Sequence, residues 1–193
     1  DNVFEIACTI KEICERLKIP YIFKASYRKA YRSRIDSFTG IGDEKALGII
    51  KSVKDRLQLP VLTDVHSPEE CVLAAQSVDV LQIPAFLSRQ TDILLAAGQS
   101  GCVVNVKKGQ FLAPWDMKQV IAKLESTKNK KILLTERGTS FGYNRLVTDF
   151  RSLAQMRRFG YPVIIDATHS VQQPGGLGTA SGGQREFIPL IAR

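Results

Sequence analysis

Five basic side chains fall within residues 24–34, "KASYRKAYRSR", with no acid among them. They follow "IPYIF", a run that reads as a buried strand. Such a cluster is either a solvated charged loop or a pocket for a molecule with several negative charges. Further cations close other β-rich runs: Lys107 after "CVVNV" and Arg137 after "KILLTE". Cations drawn from separate segments onto one face repel each other unless an anion neutralises them. Ammonium and guanidinium groups suit carboxylate and phosphate. Lys24, Lys29, Arg32, Lys107 and Arg137 are therefore candidate ligands for a substrate with at least two such groups. In "QIPAF", Gln82 and Ala85 offer an amide side chain and backbone N–H groups that can hold an oxyanion.

The acid/base candidates are few. The chain has two histidines, His66 and His169, and each is expected to close a strand. Asp64 precedes His66 by two positions, so both side chains share a face of the strand. They form either a structural hydrogen-bonded pair or an acid/base couple. Asp166 precedes His169 by three. His169 is a candidate general acid/base group or metal ligand, but no HxH, HExxH or cysteine companion accompanies it, so the chain as it stands is not expected to bind a metal. Ser140 does not sit in a GxSxG elbow. The glycine-rich residues 174–186 can cradle a phosphate or form a mobile lid; the segment does not match a P-loop, and the lid is the favoured reading.

These groups need elements to position them. β-rich runs at 21–26, 60–66, 80–85, 102–108, 131–138 and 162–169 alternate with helical periodicity at roughly 43–57, 68–77, 89–100, 114–127 and 146–159. "SPEE" at 67–70 is a helix start, with Ser67 as N-cap and Pro68 at the first helical position. Alternation of this kind means parallel α/β architecture, open and doubly wound or closed as a (β/α)8 TIM barrel. In each run the apolar residues come first and the polar ones last. Only a barrel brings all its strand ends to one site, so the barrel is favoured. Six strands are counted where eight are needed. The expectation is a single domain, residues 1–193, that is a fragment lacking the first and last strands.

Composition sets limits. The 193 residues are 44% hydrophobic and 24% charged, which suits one globular domain with a sizeable core. No window has the length and apolarity of a membrane span. The net charge is +8, yet the basic residues are spread along the chain and the aromatics do not interleave with them as a stacking platform would need, which argues against nucleic acid. Cys8, Cys14, Cys71 and Cys102 lack CxxC spacing and are expected as reduced core residues of a cytoplasmic protein.

Seven segments together carry a resemblance: "FKASYRKAYRS", "TDVHSPEE", "LQIPAFLSRQTD", "NVKKGQFLAPWDM", "TERGTSFGYNRLVTD", "DATHSVQQPGG" and "ASGGQREFIPLIAR". In order and spacing, over essentially the whole chain, they resemble the 3-deoxy-D-manno-octulosonate 8-phosphate synthases, within the phosphoenolpyruvate-dependent aldol synthase superfamily. The resemblance implies a homotetrameric (β/α)8 barrel that condenses phosphoenolpyruvate with arabinose 5-phosphate in lipopolysaccharide biosynthesis. It implies that Lys24, Ser26, Lys29 and Gln82 hold the phosphoenolpyruvate carboxylate and its surroundings. Lys107, Arg137 and the backbone of Ala85 would hold its phosphate. Arg32 and Ser33 would take the sugar phosphate, helped by Arg89 from a neighbouring subunit, and Asp64 would contact the sugar. Lys24, Asp64, His66, Lys107 and His169 are the candidate catalytic groups.

Some enzymes of that family use a divalent metal and some do not. Of the metal ligands the resemblance implies, this chain carries His169 alone, and the others would come from the missing strands. Three positions depart from the family pattern. Tyr31 stands for an asparagine in "KANRS", Thr39 for a cation in "RGPG", and Arg145 follows Asn144 where the family has a second asparagine.

Overall fold

The computed structural model describes residues 2–178 and 180–193. Helix α1 (Asn2–Leu17) is followed by β1 (Phe23–Lys24), α2 (Asp43–Leu57), β2 (Val61–Asp64), α3 (Pro68–Ala74), β3 (Val80–Ile83), α4 (Thr91–Gln99), β4 (Val103–Lys107), α5 (Met117–Glu125) and β5 (Ile132–Glu136). A hairpin of β6 (Thr139–Ser140) and β7 (Leu146–Val147) leads to α6 (Arg151–Arg157), β8 (Val163–Ile165) and α7 (Ala167–Ser170). A second hairpin pairs β9 (Gln172–Gln173) with β10 (Gly182–Gly183), before α8 (Ile188–Ala192).

Six strands form one parallel sheet in the order β1-β2-β3-β4-β5-β8. The order never reverses, so there is no switch point of the doubly wound kind. Strand after strand advances in one direction around the sheet, as in a barrel, and the architecture is a partial (β/α)8 barrel. Among the described residues, β1 and β8 are each paired along one edge only.

The strands in the middle of this sheet are covered on both sides. Val61, Leu62 and Thr63 of β2 and all four residues of β3 are buried, which is why their sequences run apolar without alternating. The helices show the complementary pattern. Helix α2 buries Ala46, Leu47, Ile50, Val53 and Leu57, and α5 buries Met117, Val120, Ile121 and Leu124, a single stripe in each case. The Ser67 hydroxyl accepts from the Glu70 N–H at 3.3 Å, and Pro68 opens α3 as expected. No helix among the described residues is long and apolar enough to cross a membrane.

The sequence reading needs four corrections. The strand expected over 21–26 has two residues in the ladder, because β1 pairs with β2 alone. The helix expected from 146 begins at Arg151. Leu146 and Val147 pair instead with β6, and the Asp149 carboxylate accepts from the Arg151 N–H at 3.0 Å. His169 does not close a strand. β8 ends at Ile165, Asp166 caps the short α7, and its Oδ1 accepts from the His169 N–H at 3.0 Å. The four cysteines are free, but only Cys71 is fully buried.

Candidate active site

The C-terminal ends of the strands surround a cavity of about 410 Å³. The strand β1 and the long loop after it supply Lys24, Ser26, Lys29, Arg32 and Ser33. Asp64 comes from β2, Gln82 from β3, Ala85 from the 3-10 turn after it, and Lys107 from β4. Arg137 follows β5, and His169 comes from α7. Two of the residues selected from sequence lie outside this lining. His66 is packed behind the wall, its side chain 6% exposed. Arg89 is exposed elsewhere on the chain, where its carbonyl accepts from Lys123 Nζ at 2.8 Å.

The loop carrying Lys29 and Arg32 has no regular element, yet it is tied down. The Lys29 N–H donates to the Thr39 carbonyl at 2.7 Å, and Arg32 Nε donates to the Phe38 carbonyl at 3.2 Å. Thr39 thus serves the loop through its backbone. On the opposite wall, Gln82 Oε1 accepts from Asn105 Nδ2 at 3.1 Å, and Thr135 Oγ1 donates to Asn105 Oδ1 at 2.7 Å. This row of buried polar groups, each one satisfied by the next, fixes the amide of Gln82.

Two carboxylates organise the floor. Lys24 Nζ donates to Ser26 Oγ at 2.7 Å and lies 3.3 Å from Asp64 Oδ1. His66 Nε2 lies 3.2 Å from Asp64 Oδ2. Across the cavity, Lys107 Nζ lies 2.5 Å and His169 Nδ1 2.7 Å from the same oxygen, Asp166 Oδ2. Arg137 Nη2 donates to Gln172 Oε1 at 3.1 Å, while its buried Nη1 has no hydrogen-bond partner among the described residues. A buried guanidinium nitrogen without an acceptor is costly unless a ligand supplies one.

Charge in this site is unevenly balanced. Burial lowers the pKa of Lys107; Asp166 opposes the shift, and the neighbouring Lys24 and Arg137 add to it. Lys29 is lowered by burial and by Lys24 and Arg32. Burial likewise lowers Arg137. The two aspartates go the other way. Burial pushes Asp64 up, but His66, Lys24 and Ser26 outweigh it and hold the carboxyl well below the usual range. Asp166 is held down in the same manner by His169 and Lys107.

These carboxylates bear on acid stability. Below about pH 4 the unfolded chain binds protons that the folded one refuses, so the stability they confer is full above that pH and falls away beneath it. In circular dichroism titrations, Asp64→Asn should lose stability less steeply with falling pH than the parent protein. Equal slopes would show that Asp64 is not held ionised.

Four contributors were not picked out from sequence as site residues: Glu70, Tyr27, Asn105 and Asp166. Asp166 was visible as a strand-end acid. Asn105 lies two positions before Lys107 and so on the same face of its strand. Tyr31 lines the cavity with its ring edge-on to His66 and to Phe86, both at 5.3 Å between centroids. Among the described residues no three His, Cys, Asp or Glu side chains gather to hold a metal ion. His169 has Asp166 beside it and no third donor, so the residues present do not fit a metal centre.

A barrel whose strand ends bring cations and ionised acids to one hollow defines a (β/α)-barrel protein built for small anionic molecules. Within that class the chain belongs to the DAHP synthetase I family, whose model matches residues 1–193. It is 60% identical over 188 residues to the 2-dehydro-3-deoxyphosphooctonate aldolase of Granulibacter bethesdensis, an alignment covering 97% of this chain and 67% of that protein. It is also 60% identical to the 2-dehydro-3-deoxyphosphooctonate aldolase of a Cyanothece species, over 100% of this chain and 71% of the relative. The protein of that name from Bartonella tribocorum is 55% identical, over 100% of this chain and 69% of its own length.

Proposed function

We propose that the protein condenses phosphoenolpyruvate with arabinose 5-phosphate and water, giving 3-deoxy-D-manno-octulosonate 8-phosphate and inorganic phosphate. The observation that carries this reading is the convergence of Lys24, Lys29, Arg32, Lys107 and Arg137 on one cavity. The similarity to proteins named 2-dehydro-3-deoxyphosphooctonate aldolase supports it. Residues 1–193 act as one barrel domain in the cytoplasm, assembled as a homo-oligomer. Arg89, exposed outside its own cavity, would serve a neighbouring copy.

In the reaction, C3 of the enol attacks the aldehyde carbon. Water adds at C2, and the phosphate leaves with cleavage of its C2–O bond. Lys107 and Arg137 neutralise the phosphate that leaves, with Arg137 Nη1, unpartnered among the described residues, as a donor. Lys24, Lys29, Ser26 and Gln82 hold the carboxylate. Arg32 and Ser33 take the sugar phosphate. Asp64 and His169 line the cavity and are the groups placed to exchange protons with the aldehyde oxygen and the incoming water, while His66 and Asp166 hold them from behind. Positioning and fixed charge supply most of the rate.

The test is to supply phosphoenolpyruvate with several aldose phosphates and follow phosphate release. Release with arabinose 5-phosphate is expected, and absence of release with every acceptor would overturn the reading. One observation favours a second acceptor. The exposed Tyr31 ring stands on the cavity wall against Phe86 and His66, in the half assigned to the sugar. If it crowds the acceptor, release would occur only with another aldose phosphate. Tyr31→Asn is expected to lower KM for arabinose 5-phosphate by about tenfold, with KM for phosphoenolpyruvate unchanged. An unchanged acceptor KM would clear Tyr31 of that role.

A further inference from the structure

We propose that Glu70 is a positioning residue of this site: it anchors the His66 imidazole through Nδ1, keeps it protonated between two carboxylates, and thereby fixes Asp64 at the cavity wall. The inference rests on the reaction read above and names a group that the reading did not use.

Glu70 is buried, at 8% exposure, in the first turn of α3. The helix start set by Ser67 and Pro68 places it four residues after His66. Its Oε2 accepts from the His66 backbone N–H at 2.9 Å, lies 2.8 Å from His66 Nδ1, and accepts from the Tyr27 hydroxyl. Its Oε1 lies 3.3 Å from an Arg28 guanidinium nitrogen, and that nitrogen lies 3.5 Å from Asp43. The ring of His66 is thus gripped on one side by a carboxylate that is itself held on both oxygens.

The other side decides the protonation. A neutral imidazole has one N–H. With that proton on Nδ1 facing Glu70, the bare Nε2, buried and without a hydrogen-bond partner among the described residues, would lie 3.2 Å from the repelling charge of Asp64 Oδ2. The His66 side chain is 6% exposed, so water offers little relief. A second proton turns this repulsion into an ion pair. In direct contact, Lys24, Arg28 and His66 are then the cations and Asp43, Asp64 and Glu70 the anions, with Lys29 a further cation acting on Asp64 and Lys24. The remaining titratable neighbours are the phenols of Tyr27 and Tyr31, packed at 6.5 and 5.3 Å between ring centroids. Burial pulls His66 down, yet Asp64 and Glu70 outweigh it, so its pKa stands above the ordinary value. Loss of the proton would remove one of the two charges that fix Asp64 and leave Lys24 alone to orient it.

The experiment is an imidazole NMR titration paired with the pH dependence of phosphate release from phosphoenolpyruvate and the aldose phosphate that the protein accepts. The chain has only two histidines, and His66→Asn assigns the signal. In the parent protein His66 should titrate above about 6.5. Glu70→Gln keeps an acceptor for the backbone N–H and removes the charge. It should lower the His66 pKa by about one unit or more and carry the alkaline limb of kcat down by the same amount. Tyr27→Phe removes the hydroxyl that competes for Oε2 and should move both quantities upward, which keeps the proposal testable if Glu70→Gln fails to fold. An unmoved His66 pKa overturns the proposal, and so does a pKa that moves while the alkaline limb stays in place. A parent protein that releases no phosphate, but whose His66 responds as described, overturns the assigned reaction and supports the anchoring.

Discussion

Lys107→Met is expected to slow phosphate release by about 10²- to 10³-fold, the usual cost of removing one preorganised charge from a reacting oxyanion. The side chain is 14% exposed and sits between Asp166 and the cavity. Asp166 opposes the downward shift that burial, Lys24 and Arg137 impose on Lys107, and a further anion beside these three cations would favour its charged form. In the proposed reaction the leaving phosphate is that anion. Most of the loss should appear in kcat, because the negative charge on the phosphate grows as the C2–O bond breaks. Lys107→Arg should restore only part of the rate. A planar fork can reach the phosphate, but it cannot sit as a compact charge 2.5 Å from Asp166 Oδ2. A Lys107→Met protein within threefold of the parent would mean that the phosphate is held elsewhere.

The legible part of this site is the part that strand geometry controls. Polar residues ending apolar runs must emerge where the ladder stops, so Lys24, Asp64, Gln82 and Lys107 could be placed together before any contact was known. The register then sets Asp64 opposite Gln82, and Gln82 opposite Asn105. The loop residues Lys29, Arg32 and Ser33 were harder, since no period governs residues 25–42. Their cavity positions depend on backbone contacts such as Lys29 N–H to Thr39, and their roles came from family resemblance. Glu70 escaped notice for a different reason. An acid in the first turn after Ser-Pro is already explained by helix capping and the macrodipole. Nothing local showed that it reaches back four residues to His66.

Lys108 went the same way. It follows Lys107 and reads as another strand-end cation, yet alternation sends adjacent side chains to opposite faces. It is 1% exposed and points away from the cavity lining, with Nζ 3.5 Å from Glu136 Oε1. It donates to Thr139 Oγ1 at 3.1 Å and to the Leu112 carbonyl at 3.2 Å.

Glu136→Ala is therefore expected to destabilise the fold by about 3–5 kcal/mol, the cost of stranding one partner of a buried ion pair. Glu136 does more than neutralise Lys108. Its Oε1 accepts from the Arg137 and Gly138 N–H groups at 2.9 and 2.8 Å, and its Oε2 accepts from Ser152 Oγ at 2.6 Å. Gly138 turns the chain at φ +92°, so this carboxylate clamps the bend that delivers Arg137 to the cavity. Lys108→Met should cost less, because Glu136 keeps its three other donors and the thioether fills much of the vacated space. The pH dependence separates charge from packing. Burial already lowers Lys108, and Glu136 is the main group opposing that shift. Without Glu136 the folded protein prefers the neutral amine, while the unfolded chain keeps its proton to about pH 10. Relative to the parent, the stability of Glu136→Ala should then rise as pH increases from 7 to 10, whereas that of Lys108→Met should not. Urea midpoints measured across that range decide the matter: a Glu136→Ala deficit that is constant with pH would assign the loss to the broken clamp at Arg137 and Gly138, and not to a stranded Lys108 charge.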